Sequence, residues 1–519
     1  MRLIYIILIC FISTGVSLSQ DSLVLLNEVK YSSDFEKKVF GEYFGKKDKS
    51  VFLKLFLSVS PSVDEAKSAS IENQISSLTT SIKASGIEKK KAEKKIKSVY
   101  DQVHNPLLKK YEIENRFYDI FQNGNYNCVS ATALYALVFD RLEIPYEIKE
   151  EPTHVYLLGY PNKENILVET TSPLHGYLTF NDDFKTNYVS ALKKQKVIGA
   201  DEADRSSIDQ LFNKYYFKNE KITTENLVGI QYMNDAIFRK DHNELLKAHQ
   251  QMEKAHLFYP SSKCEFLLFV LGTEVLSKEK LAPKDKCALI AKLSRFKSQG
   301  VTNDMIKGEF ANLTQDVLFR DNNKSLHLEC YQILKSQIKD KELSDEITYV
   351  YNYENGRAYY NQGNFTKSKP YFEKALAIQP NNVDLSSVFV GVLAKTFRPG
   401  GSNKATLDTL NAYRVKYPSL DQNNNFKILT ATATVIQFGE EYDKGKIETA
   451  EKYKAQFEGF LKDDPTLDIN PNAIGKAYAS ACSYYFTRGQ KAKAKEYLLQ
   501  GLKISPDNYE LRIRMQMIR

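Results

Sequence analysis

At 519 residues the chain is too long for one ordinary domain, and its 42% hydrophobic and 12% aromatic content supports buried cores and excludes wholesale disorder. A formal charge of +8 is modest at this length, and no arginine-rich or aromatic-interleaved stretch points to nucleic acid. Six cysteines occur without a CxxC pair or a ligand-like cluster, so neither a zinc site nor any other metal or cofactor is implied.

The opening residues MRLIYIILICFISTGVSLSQ have the form of a secretory signal. Arg2 gives the positive start, Leu3 to Ile12 the apolar run, and Ser17-Leu18-Ser19 the small-x-small pattern before a cut near Gln20. The expectation is a signal peptide over 1–19 and an exported protein, periplasmic or secreted. No later stretch is long and apolar enough to span a bilayer. Removing Cys10 leaves five cysteines, an odd number, so at least one thiol stays unpaired within the chain.

Residues 20–115 read as a helical, highly charged segment. The run EKKKAEKKIK, Glu88 to Lys97, suggests a basic patch. However, Ile96, Val99, Tyr100 and Val103 recur at helical spacing and mark one buried stripe, which makes the lysines a solvated face. Asn105-Pro106 is expected to end that helix.

Over 116–200 the pattern changes. From Cys128 onward, Ala131, Leu134, Tyr135, Val138 and Leu142 fall at helical spacing, and Ile144-Pro145 stops the run. Three β-like segments follow, starting at Tyr146, His154 and Ile166, the last two joined through the reversing loop PNKEN. One helix followed by a small antiparallel sheet predicts an α+β domain.

From 222 to 519 the chain is helical and repetitive. In Tyr349 to Asn382, Gly356, Tyr359, Gly363, Ser368, Phe372, Ala375 and Pro380 fall on a 34-residue pattern, and Tyr485, Gly489, Ala494, Gly501 and Pro506 repeat it near the end. A weaker copy carries Ala248, Ala255 and Pro260. These segments resemble tetratricopeptide (TPR) repeats. The resemblance implies helix pairs stacked into an all-α solenoid whose groove holds a protein partner.

Cys128 lies where the turn-rich run NGNYN becomes an apolar helix. A cysteine nucleophile needs a stabilised thiolate, a base within reach and a group orienting that base. A helix N-terminus supplies the first, worth up to about 1 kcal/mol. His154 follows 26 residues on, at the start of a strand, and Glu169 lies 15 beyond it, near the end of the next.

Tyr126 and Cys128, Ile144-Pro145, His154-Val155 and Glu169-Thr170-Thr171 together resemble the transglutaminase-like superfamily, whose core is papain-like, over roughly residues 116–180. The resemblance implies a triad in which Cys128 attacks an acyl carbon, His154 moves the proton and Glu169 orients His154. Gln122 stands at the family's offset for an oxyanion donor beside the backbone N–H of Cys128, with Asn123, Asn125 and Asn127 as competitors. Most members carry Asp where this chain has Glu169, and a tight reversal at Asn162 to Asn165 would pair His154 near Pro173 instead of Glu169. His175 is the rival base. Cys264, Cys287, Cys330 and Cys482 fall in helical segments and read as packing residues, with Cys482 on a small-residue repeat position.

The expected fold is therefore multidomain: an α+β papain/transglutaminase-like domain followed by an all-α helical-repeat, TPR-like solenoid. The expected function is thiol-dependent amide hydrolysis or acyl transfer on a peptide or protein substrate, with the repeats holding substrate or partner. Hydrolysis and transfer share one acyl-enzyme and differ only in whether water or an amine resolves it. The alternative is a non-catalytic TPR scaffold with a vestigial transglutaminase-like domain. A minor third option, an amidase acting on peptidoglycan, lacks support from any sugar-stacking tryptophan, because the chain has none.

Overall fold

Burial of amphipathic helices against one long apolar helix organises the first part of the chain. The structure is a computed structural model that describes residues 22–171, 176–178, 182–194, 197–216, 220–397 and 403–518. The signal peptide expected over 1–19 and the rival base His175 lie outside the described residues. The chain divides into two compact units, Met1–Leu281 with Arg295–Val301, and Ala282–Ser294 with Thr302–Arg519.

The first unit opens with α1 (Asp34–Lys46), α2 (Phe52–Ser58), α3 (Glu65–Ala84) and α4 (Ala92–Leu107). Ser33 and Asp64 cap α1 and α3 through their side chains, satisfying N–H groups the helix itself leaves unpaired. On α4 the stripe Ile96, Val99, Tyr100 and Val103 is buried while Lys91, Lys94 and Lys97 stand exposed. Pro106 sits inside the last turn of α4, one residue before the helix ends rather than at its boundary.

The α+β part comprises β1 (Lys110–Tyr111), α5 (Asp119–Gln122), β2 (Asn125–Tyr126), α6 (Cys128–Arg141), β3 (Tyr146–Glu151), β4 (His154–Gly159), β5 (Ile166–Val168), β6 (Tyr177–Leu178), α7 (Asp182–Lys194), α8 (Ala200–Arg205), α9 (Ile208–Tyr216) and β7 (Glu220–Ile222). The short strands β1 and β2 pair in parallel, and the other five form an antiparallel sheet in the order β6-β5-β4-β3-β7. Every residue of α6 from Val129 to Phe139 is buried. It packs on β3 and β4 on one side and on α2, α3 and α10 (Thr224–Asp241) on the other, which accounts for a helix apolar all round. A small cluster of Leu158, Val189, Ile198, Leu211 and Phe212 seats α7 and α9 on the sheet.

Helix α10 is followed by α11 (Leu245–Phe258) and α12 (Ser262–Lys278). These helices, which the sequence pattern groups with the repeats, pack within the first unit. Lys254 on α11 and Glu36 on α1 are both fully buried, with Nζ at 2.8 and 2.9 Å from the two carboxylate oxygens. Ser32, Gln251 and Tyr232 complete that network, so each buried charge is paired and hydrogen-bonded.

The second unit holds α13 (Pro283–Leu293), α14 (Asn303–Thr314), α15 (Lys324–Gln337), α16 (Lys341–Asn361), α17 (Phe365–Ile378), α18 (Val383–Thr396), α19 (Asn403–Lys416), α20 (Asn424–Asp443), α21 (Ile447–Asp463), α22 (Pro471–Phe486), α23 (Lys491–Ile504) and α24 (Tyr509–Met517). The pairs α16–α17, α20–α21 and α22–α23 pack as helical hairpins. Gly356 lets α16 approach α17: a Cβ there would sit 3.0 Å from the Phe372 ring. Ser368 Oγ donates to the Gly356 carbonyl at 2.8 Å across the same contact. Gly363 and Gly489 turn the two clearest repeats at φ +70° and +75°, a left-handed backbone that favours glycine.

Candidate functional site

Cys128 is the first residue of α6. Asn127 caps that helix reciprocally: its side-chain oxygen accepts from the Ser130 N–H at 2.9 Å, and Ser130 Oγ accepts from the Asn127 N–H at 2.9 Å. The Asn127 side-chain nitrogen also donates to the carbonyls of Ile113 (3.0 Å) and Asn115 (3.3 Å), and Asn115 returns a bond to the Asn125 carbonyl at 2.8 Å. The segment before α6 is thereby fixed to the loop that follows β1. Cys128 itself is half-buried and unpaired with any other cysteine, at the N-terminus of a fourteen-residue helix.

His154 Nε2 lies 3.0 Å from Glu169 Oε2. Glu169 is held at its other oxygen, where Oε1 accepts from the Thr171 N–H at 3.0 Å and the Thr171 hydroxyl at 2.6 Å. The β4–β5 ladder pairs Leu157 with Val168 and goes no further. Continued to His154, that register would reach Thr171, so Glu169 meets the imidazole along a diagonal. Diagonal neighbours on a sheet are about 7–8 Å apart, a span suited to the longer of the two acidic side chains. The pairing is thus shifted by two residues from the tight reversal at Asn162 to Asn165, and Glu169, not Pro173, comes to His154. Where the ladder stops, Thr132 of α6 reaches in, 3.2 Å from the Val155 carbonyl and 3.4 Å from the Thr170 hydroxyl. Helix α6 is thus tied to β4, which carries His154, and to the segment after β5, which carries Glu169.

The electrostatics follow from these contacts. Hydrogen bonding with Cys128, then with Glu169, raises His154 to about 10 against the opposing effect of burial. Burial pushes Glu169 up, but the hydrogen bonds from His154 and Thr171 outweigh it and leave it below its ordinary value. The imidazole of His154 thus has both Cys128 and Glu169 as hydrogen-bond partners, and the carboxylate fixes its ring.

Aromatic rings wall the site. Tyr111 lies edge-on to Tyr126 at 5.9 Å, and Tyr100 stacks on His104 and on Tyr135 at 5.1 and 5.5 Å. Burial raises the Tyr111 phenol, with smaller contributions from Cys128 and Glu169, which sets that ring within the field of the triad residues. Gln122 is exposed at the end of α5, and no hydrogen bond joins it to Cys128, His154 or Glu169. Among the competing asparagines, Asn127 is the cap, and the Asn123 side chain accepts from the Asn125 N–H.

The structure thus draws Cys128, His154 and Glu169 together and leaves Gln122 outside. Sequence reasoning gave Thr132 no role, took Thr171 only as part of a motif, and took Asn127 as a competing oxyanion donor instead of a cap. Their signals are slight: a second threonine after Glu169, one hydroxyl inside an apolar helix, and an N-x-x-S spacing that is a faint form of a capping box.

In the second unit a band of rings runs over α15, α16 and α17. Tyr331 stacks on Tyr351 at 4.1 Å, Tyr371 lies 6.4 Å from Tyr351 and 5.7 Å from Tyr359, and Lys324 Nζ sits 3.6 Å over Tyr359. These tyrosines are half-buried, each with an edge open to solvent.

Comparison with known proteins bears on the repeats. Residues 350–382 and 476–508 each match a family model described as tetratricopeptide repeat. No curated protein matches the chain. Among solved structures, a chain of "Structure of Naa15/Naa10 bound to HypK-THB" aligns at 12% identity over 65% of this chain, with a TM-score of 0.16. The alignment spans 58% of that chain's length, and a superposition this poor bears on neither fold nor function. The chain contains TPR repeats in a mostly helical structure. Among the described residues no helix is long and apolar enough to cross a membrane.

Proposed function

We propose that the protein is a repeat scaffold that binds a protein or peptide partner through its TPR helices. The observation that carries this reading is the pair of TPR segments, whose helical hairpins belong to an interaction module. The tyrosine band on α15 to α17 supplies large, half-buried rings of the kind that anchor interfaces. Cross-linking a partner to the full-length protein, and measuring its affinity for the wild type and for Tyr359→Ala with Tyr371→Ala, tests this. Affinity should fall at least about tenfold for two lost aromatic anchors. A partner bound equally by wild type and variant contradicts the assignment of the band.

A second reading is favoured by one observation, the hydrogen-bonded His154–Glu169 pair beside Cys128. In it the α+β part is transglutaminase-like and the triad attacks amides of the bound partner. Cys128 Sγ adds to the carbonyl carbon, and the imidazolium of His154 delivers its proton to the departing amine. Water or a second amine then resolves the acyl-enzyme. The Cys128 N–H is the available oxyanion donor, and Gln122 would have to move to become another. Mass spectrometry of the protein after incubation with an activated acyl ester is the test. An acyl group on Cys128 that is absent from His154→Ala supports this reading, and an unmodified Cys128 contradicts it. In that case the scaffold reading stands with a vestigial triad. Export of the protein is proposed on the strength of its first residues alone.

A further inference from the structure

Five cysteines remain in the described chain, and their surroundings differ. Cys128 faces His154. Cys264 Sγ contacts the thioether of Met252 at 3.7 Å, and Cys482 is buried near the guanidinium of Arg514. Cys287 and Cys330 have each other as hydrogen-bond partners. Cys287 lies on α13 and Cys330 on α15, two helices packed directly against one another, and both residues have 0% exposed surface. The same helix pair is clamped beside them by the ion pair of Lys284 with Glu329. Lys284 is one turn before Cys287 on the same face of α13, and Glu329 immediately precedes Cys330, so the ion pair joins the two turns that carry the thiols.

We infer that Cys287 and Cys330 are a disulfide-forming pair that staples α13 to α15, and that Cys128, Cys264 and Cys482 remain thiols. The odd cysteine count then has a specific solution: one bridge in the repeat unit, two isolated packing thiols, and one thiol left for chemistry. This inference is independent of the proposed function.

The two sulfurs share a hydrogen bond, which with burial raises Cys287 and against burial lowers Cys330. Either sulfur can attack first and give the same product; in one order the attacking group is Cys330. Its thiolate displaces one thiolate from a small-molecule disulfide such as oxidised glutathione, forming a mixed disulfide. Cys287 then loses its proton and attacks the Cys330 sulfur, expelling the second thiolate. Two protein thiols are oxidised by two electrons, the oxidant's S–S bond becomes two thiols, and the two protons end on them. Because both sulfurs are buried, exchange has to pass through separation of α13 from α15 or precede their packing. Oxidation is then slow in the native protein and faster during refolding.

Refolding the full chain with oxidised and reduced glutathione, alkylating under denaturing conditions without reductant, and mapping the peptides tests the pairing. The expected result is one linked peptide pair, Cys287 with Cys330, and alkylation at Cys128, Cys264 and Cys482. In Cys330→Ser, Cys287 should be recovered alkylated and unlinked. Melting of the oxidised wild type should lie above that of the reduced wild type, a comparison that needs no substitution. Alkylation of both Cys287 and Cys330 after oxidative refolding, or a different linked pair, overturns the inference.

Discussion

Around Cys128 each side chain has a task that no other residue repeats, whereas in the repeat helices the same task recurs along the chain. His154 has one orienting carboxylate, Glu169, and that carboxylate has one anchor, Thr171. In the repeats, Gly363 and Gly489 make the same left-handed turn, and Gly356, Gly439 and Gly501 each allow a close helix approach, to Phe372, Ala477 and Tyr478. Change near Cys128 should therefore alter chemistry with little effect on folding. Change in the repeats should alter stability locally and leave the triad intact.

The largest expected effect is on chemistry. On the reading in which Cys128, His154 and Glu169 attack amides, Cys128→Ala should remove acyl-enzyme formation altogether, as loss of a nucleophile removes roughly 10³-fold or more of rate. The melting temperature should stay nearly unchanged, because this half-exposed thiol fills no interior space. A large drop in melting temperature would show that Cys128 is a core residue and erase the contrast.

The largest stability effect is expected at the ion network of the first unit. Lys254→Ala strands the fully buried Glu36 and should cost about 3–5 kcal/mol in denaturant unfolding. Gly356→Ala is expected to cost about 1–3 kcal/mol by crowding the Phe372 ring, without changing reactivity at Cys128. Asn127→Ala should cost about 1 kcal/mol of cap energy and also slow Cys128 modification, since Asn127 holds the turn before it. Equal effects of these last two on Cys128 reactivity would blur the division between the regions.

The smallest effect is a pH dependence. The folded-state value of His154, about 10, lies above the free imidazole value. Its contribution to stability is therefore complete below about pH 6.5 and is lost as pH rises through about 10. Glu169, held below its ordinary value, contributes stability at and above the usual carboxylate range, and this is lost in acid. Melting temperatures of wild type and His154→Ala should thus converge between pH 7 and 10. Parallel curves would remove the ion pair from the account.

How far the sequence disclosed this depends on how each feature is encoded. The repeats were legible because their glycines, alanines and prolines return at a fixed interval. The strands at Tyr146, His154 and Ile166 were legible from alternation and punctuation. The order Cys, His, Glu was visible as a resemblance, but the diagonal from Glu169 to His154 was not, because it depends on where the β4–β5 ladder stops. Strand β7 is three residues long and lies far along the chain from β3, which it flanks. No local pattern announces such a pairing. Nor does periodicity reveal that α10 to α12 pack with the first unit, since a helix hairpin looks the same whichever neighbour it joins. Gln122 illustrates the converse. Its offset from Cys128 fits the family, yet it ends a four-residue helix with its side chain in solvent.

The most direct test is the rate of alkylation at Cys128 in the native full-length protein from pH 5 to 9, with His154→Ala measured beside it. An assembled triad predicts that Cys128 reacts readily at neutral and mildly acidic pH, well ahead of the four buried cysteines, and that His154→Ala removes this advantage. A Cys128 that stays unmodified until the protein is unfolded, or that reacts identically in His154→Ala, contradicts the claim that the three residues work as one site.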